Sequence, residues 1–254
     1  MSQPPEREVF QRRIKTFVED ISEVVEHRSR ERAALRRSLG GDPSKIDEVH
    51  PIARRVVVPH IASDDWRPRE RAFYTVASLI AAQPRKRQLD LKSDGDEAVP
   101  MGEVPPEQEE TPVDTSRGED GTPEREKRLR RNLGAALANA AVDRAKAAHG
   151  IRLDDDPKAV RSPEEDRLHL LCRQDNDGLH RFIPKVTRLL RARDRTPDWE
   201  VLTEDLAYWS GRGRDIVAKN WLDGFYRTLE ARKRYELKKN DDTKQTTTPE
   251  EDNT

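Results

Sequence analysis

Four cations, Arg181, Lys185, Arg188 and Arg191, recur at intervals of four, three and three, the spacing of one ridge on a helix. Leu179, Phe182, Ile183, Val186, Leu189 and Leu190 fall on the opposite side. Such a ridge can track a phosphate backbone, because each neutralised phosphate releases a condensed counterion. Arg36 and Arg37, Arg54 and Arg55, Arg130 and Arg131, and Arg167 and Arg173 extend the set of candidate phosphate contacts. A solvated basic face with no ligand has the same spacing, so the ridge alone does not choose between the two. The tryptophans and phenylalanines sit at core spacing and do not interleave with the cations, which favours backbone contact over stacking on bases.

Other chemistry finds little support. The six histidines include no HExxH pair. His169 and Cys172 share one helical face, but they are two ligands where structural zinc takes four. Asp175-Asn176-Asp177-Gly178 starts like a calcium loop, yet its glycine comes two positions early and no glutamate closes it, so it reads as a turn. Gly211-Arg212-Gly213-Arg214 follows a helix and lacks a phosphate-loop continuation. Asp154-Asp155-Asp156 precedes Pro157 and reads as a solvated loop. The expectation is a non-enzyme with no metal, no cofactor and no catalytic residue.

The formal charge of −1 hides an uneven distribution. Asp90 to Glu124 holds 12 acids against Lys92 and Arg117, with five prolines and no aromatic, a composition that favours disorder. The tail from Asn240 to Thr254 has five acids against Lys244. Without these two stretches 45 basic and 32 acidic residues remain, about +13, as expected of a polyanion binder. The reading is therefore an N-terminal helical bundle over 1–86, a disordered acidic linker over 87–123, a C-terminal helical bundle over 124–239 and a disordered tail over 240–254. No apolar run is long enough for a membrane span and the N-terminus lacks a secretory signal, which predicts a cytoplasmic protein. The lone cysteine agrees with a reducing compartment.

The elements that must carry the cations are helical, and no sustained period-two alternation offers a sheet. Phe10, Ile14, Phe17, Val18, Ile21, Val24 and Val25 predict an amphipathic helix, and Arg30 to Leu39 predicts a second, stopped by Gly40 and Gly41. Between Ser44 and Ile61, Pro51, Pro59 and the run Val56 to Val58 suggest a short helix and an extended or irregular connector. Arg67 to Ala82 places Phe73, Val76, Ala77 and Ile80 on one face. Beyond the linker, Pro123 to Ala148 is alanine-rich, with Gly134 marking close packing or a break. Ser162-Pro163-Glu164-Glu165 is a helix start, and Pro184 is expected to kink the helix of the ridge. Thr196-Pro197 opens a helix with Trp199, Leu202, Leu206 and Trp209 on one face, ended by Gly211-Arg212-Gly213, and a last helix runs from Arg214 towards Lys239.

Taken in order, the LRR of Leu35-Arg36-Arg37, FYTVASLIA, the NLGAALA of Asn132 to Ala138, EDRLHLLCRQD and DWEVLTEDLAYW resemble CasB. That family is the small subunit of the type I-E CRISPR Cascade surveillance complex. The resemblance implies an all-α protein of two small bundles, present as a stacked pair beside other Cascade subunits. It implies contact with guide RNA and target DNA, and retention of the displaced single-stranded DNA in the R-loop, without nuclease activity. By position, Arg36 and Arg37 match the family's paired arginines, Arg167 and Arg173 lie in its arginine-bearing helix, and Arg181, Lys185, Arg188 and Arg191 match its basic helix in character. Ala135 stands where some members have arginine, a role left to Arg131 or Arg144, and Pro184 departs from the family pattern. A second reading is a helical adaptor whose basic face meets an acidic protein or the chain's own linker.

Overall fold

The apolar recurrence from Phe10 produces α1 (Glu6–His27), with Phe10, Ile14, Phe17, Ile21 and Val25 on its buried side and Val18 and Val24 at the margin. The fold is taken from a computed structural model that describes residues 6–63, 65, 67–84, 123–149 and 162–245. A single extended residue, Arg28, separates α1 from α2 (Ser29–Arg37). α3 (Pro51–Val57) begins with proline in its first turn, where the missing N–H costs nothing, and the His50 ring accepts from Ile52 N at 3.1 Å. Val56 to Val58, whose β-branching suggested an extended or irregular connector, instead finishes α3 and enters a 3₁₀ turn. Burial of Val57 decides this, because packing overrides a weak local preference.

α4 (Arg67–Ala81) is the central element. Its residues from Ala72 to Ala81 are buried all the way round, where the sequence suggested one apolar face. The run has no charged residue and is rich in small side chains, so neighbours can approach from every side. α1, α2 and α3 pack around it, and so do α8 (Asn176–Arg191) and α9 (Trp199–Ala207).

The second group is α5 (Pro123–Arg131), α6 (Leu133–His149), α7 (Pro163–Cys172) and α10 (Gly211–Gln245), with α6 laid against α10. Gly134 does both things its position allows. α5 and α6 break at Asn132, whose side chain caps Ala135 N at 3.0 Å and donates to Asn220 O at 2.7 Å. A Cβ on Gly134 would strike the Trp221 carbonyl, and one on Gly224 the Asn132 amide, so the helices cross at near-backbone contact. Ser162 caps α7 by accepting from Glu165 N at 3.1 Å.

All regular structure among the described residues is helical. The two groups do not follow chain order, since α9 joins the N-terminal group while α8 packs against α4 and also against α6 and α7, and one apolar core runs through both. α10 begins at Gly211, in a left-handed conformation with φ of +49°, and extends to Gln245, past the Lys239 end read from sequence. Residues 85–122, which hold nearly all of the acidic stretch, lie outside the described residues, as do Asp154-Asp155-Asp156 and the chain beyond Gln245.

Candidate nucleic-acid interface

Three rungs fix α8 along α4. Arg71 pairs with Asp177, Thr75 Oγ1 meets His180 Nδ1 at 2.7 Å, and Arg191 donates to Ala82 O at 2.6 Å. Asp175 caps the start of α8 by accepting from Gly178 N at 2.7 Å, and Pro184 lies inside it without ending it. With this face held inward, Arg181, Lys185 and Arg188 project into solvent. Lys185 Nζ sits 4.8 Å from the Phe182 ring centre, a cation–π contact that leaves its outer side open. His180 adds no charge, because burial, reinforced by the nearby Arg71, pushes it down to about 3. The predicted ridge of four is thus three exposed cations and one clamp.

The remaining candidates divide in the same way. Arg36 and Arg37 are exposed at the end of α2. Their helix is anchored by Arg32, which donates to Ala81 O at 3.1 Å and to Gln83 O, the end of α4 that Arg191 also holds. Arg55 is exposed and lines a groove of about 450 Å³ between α1, α2 and α3. Arg173 is exposed at the end of α7, and Arg167 is exposed with one bond to Pro163 O of its own helix. By contrast, Arg54 donates to Pro43 O at 2.8 Å and Lys45 O at 3.1 Å, bracing the α2–α3 loop. Arg131 is paired with Asp198 at 2.6 Å, and Arg144 with the buried Glu164 at 3.1 Å. Arg36, Arg37, Arg55, Arg173, Arg181, Lys185 and Arg188 form no ion pair with a described residue, whereas Arg54, Arg131, Arg144 and Arg191 are committed to the fold.

Sequence reasoning missed an ionic cluster in the interior. Glu204 and Asp205 of α9 are buried, and Arg128 of α5 pairs with both, reaching Asp205 at 2.5 Å. Arg7 and Gln11 of α1 also reach Glu204, and Trp221 Nε1 donates to Asp205 at 2.6 Å. Burial pushes the Asp205 carboxyl upward against the opposing pull of Arg128. The signal was two acids inside the otherwise apolar WEVLTEDLAYW, since buried charges are paired. A second such cluster joins Arg13 and Arg69 to the buried Asp65, with Arg69 4.6 Å from the Phe10 ring centre.

These acids are saturated by cations and donors. No group of three or more possible metal ligands occurs among the described residues. His169 bonds the Tyr226 hydroxyl at 3.0 Å, and Cys172 points to Ala218 O at 3.8 Å with its thiol pushed up to about 11 by burial, which suppresses thiolate chemistry. No described helix is long and apolar enough to cross a membrane.

Among the described residues, fold and surface define an all-helical scaffold that turns cations without an ion-pair partner outward and neutralises its buried acids internally. Residues 31–226 match the family model for CRISPR-associated protein Cse2, and the chain belongs to that family. It is similar to a chain of a solved CRISPR RNA-guided surveillance complex, with 29% identity over 89% of this chain and 98% of that one and a TM-score of 0.59. The same values hold for a chain of a surveillance complex in a pre-nicking state. A crystal structure of M. ruber CasB shares the fold at 19% identity, over 88% of this chain and 97% of that one, with a TM-score of 0.57. No curated protein matches the sequence. The resemblance drawn from the ordered sequence motifs therefore holds at the level of family and fold.

Proposed function

We propose that this chain is a non-catalytic subunit of a type I-E Cascade, a CRISPR RNA-guided DNA surveillance complex, and that it steadies the R-loop through nucleic-acid backbones. The carrying observation is the ridge of Arg181, Lys185 and Arg188, held outward by the three rungs between α8 and α4. Similarity to a surveillance-complex chain at 29% identity supports the assembly. Arg36, Arg37, Arg55 and Arg173 supply further exposed cations with no ion-pair partner among the described residues, and exposed Arg167 joins them. Guide RNA, the target strand and the displaced single strand are the ligands, and a second copy stacked on the first would lengthen the cationic track.

The three ridge cations span about 10 Å along the helix and contribute about 2 to the logarithmic salt slope for single strands. That corresponds to roughly a 20-fold loss of affinity between 50 and 200 mM salt from the ridge alone. The test is R-loop lifetime in the assembled complex carrying Arg181→Glu, Lys185→Glu and Arg188→Glu. We expect a lifetime shortened about tenfold or more, with the guide RNA still bound. An unchanged lifetime overturns the assignment of this ridge.

A further inference from the structure

We infer that the chain's own acidic stretch docks on the α8 ridge and competes there with other polyanions. α8 packs inward against α4, α6 and α7, and no described carboxylate comes within ion-pair distance of the ridge; Arg181 has Asp177 of its own helix as an electrostatic neighbour, but Arg71 already pairs with that carboxylate. Like charges three and four residues apart repel, so the exposed ridge favours an anionic occupant. The chain supplies one. Asp94 to Glu110 carries seven acids and no base, the densest acid in the molecule.

Its point of attachment to the described fold lies near the ridge. The described chain leaves the fold at Pro84, two residues after Ala82, whose carbonyl Arg191 holds at 2.6 Å. Arg188 lies one helical turn before Arg191, so the chain that leads to the acidic stretch leaves the described fold near the C-terminal end of the ridge. The ten residues from Pro84 to Asp94 can span at most about 35 Å, while the ridge is only about 10 Å long. Asp94, Asp96 and Glu97 are thus within reach of all three cations. Tethering at this distance gives an effective concentration on the order of millimolar, which an untethered acidic partner does not match. The competition with nucleic acid rests on the function proposed above; the docking does not.

Carbodiimide cross-linking of the unmodified full chain reads the docking directly, since it joins an amine to a carboxylate only in contact. Lys185 is the sole lysine of α8. We expect a Lys185 cross-link to Asp94, Asp96 or Glu97 in 50 mM salt that disappears in 500 mM. Absence of any Lys185 link to this stretch overturns the docking. The competition is read by titrating a labelled single-stranded oligonucleotide into a variant with the seven acids changed to Asn or Gln. Affinity should rise about tenfold in 50 mM salt and equal the parent's in 500 mM. An unchanged affinity overturns the competition, as does an equal gain per charge when the five acids of 240–254 are neutralised. A cross-link with no oligonucleotide binding by either chain upholds the docking and overturns the nucleic-acid reading of the ridge.

Discussion

α8 and α9 lie on the same central helix, yet they treat charge in opposite ways. Between the Asp177 and Arg191 contacts at its two ends, α8 shows α4 an apolar and neutral-polar face, including an uncharged His180, and turns Arg181, Lys185 and Arg188 to water. α9 is buried nearly all round and carries Glu204 and Asp205 into the interior, where Arg128 and Arg7 meet them. An arginine over a buried acid is part of the fold, and removing it strands a charge. An arginine facing solvent adds little to stability and remains available to a ligand. The same residue type thus divides by what lies opposite it.

The sharpest way to break this comparison is Arg128→Met. Glu204 would keep Arg7 and Gln11, but Asp205 would be left with Trp221 Nε1 as its only described donor. We expect a loss of about 3–5 kcal/mol in urea unfolding, the cost of an uncompensated buried charge. Adding Asp205→Leu should recover much of it, since the carboxylate would no longer need a partner. The pH dependence carries a sign. The folded Asp205 carboxyl is raised above its usual 3.8, so the folded state holds a proton that the unfolded chain releases, and stability falls as pH climbs through that window. Without Arg128 the window should extend to higher pH.

His180 gives the next effect. Its folded value is pushed down to about 3 against an unfolded value of 6.5, so below pH 6.5 the unfolded chain takes up a proton that the folded one refuses. Stability is present in full above pH 6.5 and declines as pH falls towards 3. Between pH 7 and pH 5 the loss attributable to this residue is about 2 kcal/mol. The half-buried His60, lowered by burial and partly offset by Asp20, acts in the same direction. Comparing unfolding of the parent with His180→Gln isolates the residue, and the variant should lack this share of the acid sensitivity.

Much of the fold was legible because it follows from local rules. The face of α1, the Ser162 cap and the helical character of the ridge all depend on spacing within one turn. What spacing could not show was which helix takes the centre. FYTVASLIA offers a plausible single face, and its all-round burial depends on α8 and α9 arriving from the far end of the chain. The same long-range arrival decides the fate of each cation. Arg191 continues the period of Arg188, but only the position of the α4 C-terminus turns it into a clamp. Arg131 and Arg144 look like surface arginines until Asp198 and Glu164 are brought opposite them.

The last test stays on α8 and sets two neighbouring arginines against each other. Arg191 satisfies the Ala82 carbonyl at the end of α4 and places a cation near that helix terminus, so Arg191→Ala should cost about 1–2 kcal/mol in urea unfolding. Arg181→Ala, Lys185→Ala and Arg188→Ala together remove three cations and no hydrogen bond to the fold. Relief of repulsion at their three- and four-residue spacing should offset the lost packing, so unfolding should shift by less than about 0.5 kcal/mol. The same triple variant should lower the salt slope for single-strand binding by about 2, whereas Arg191→Ala should leave that slope within error of the parent. A triple variant that unfolds easily, or an Arg191 variant that loses the slope, would move the border between scaffold and surface by one turn of α8.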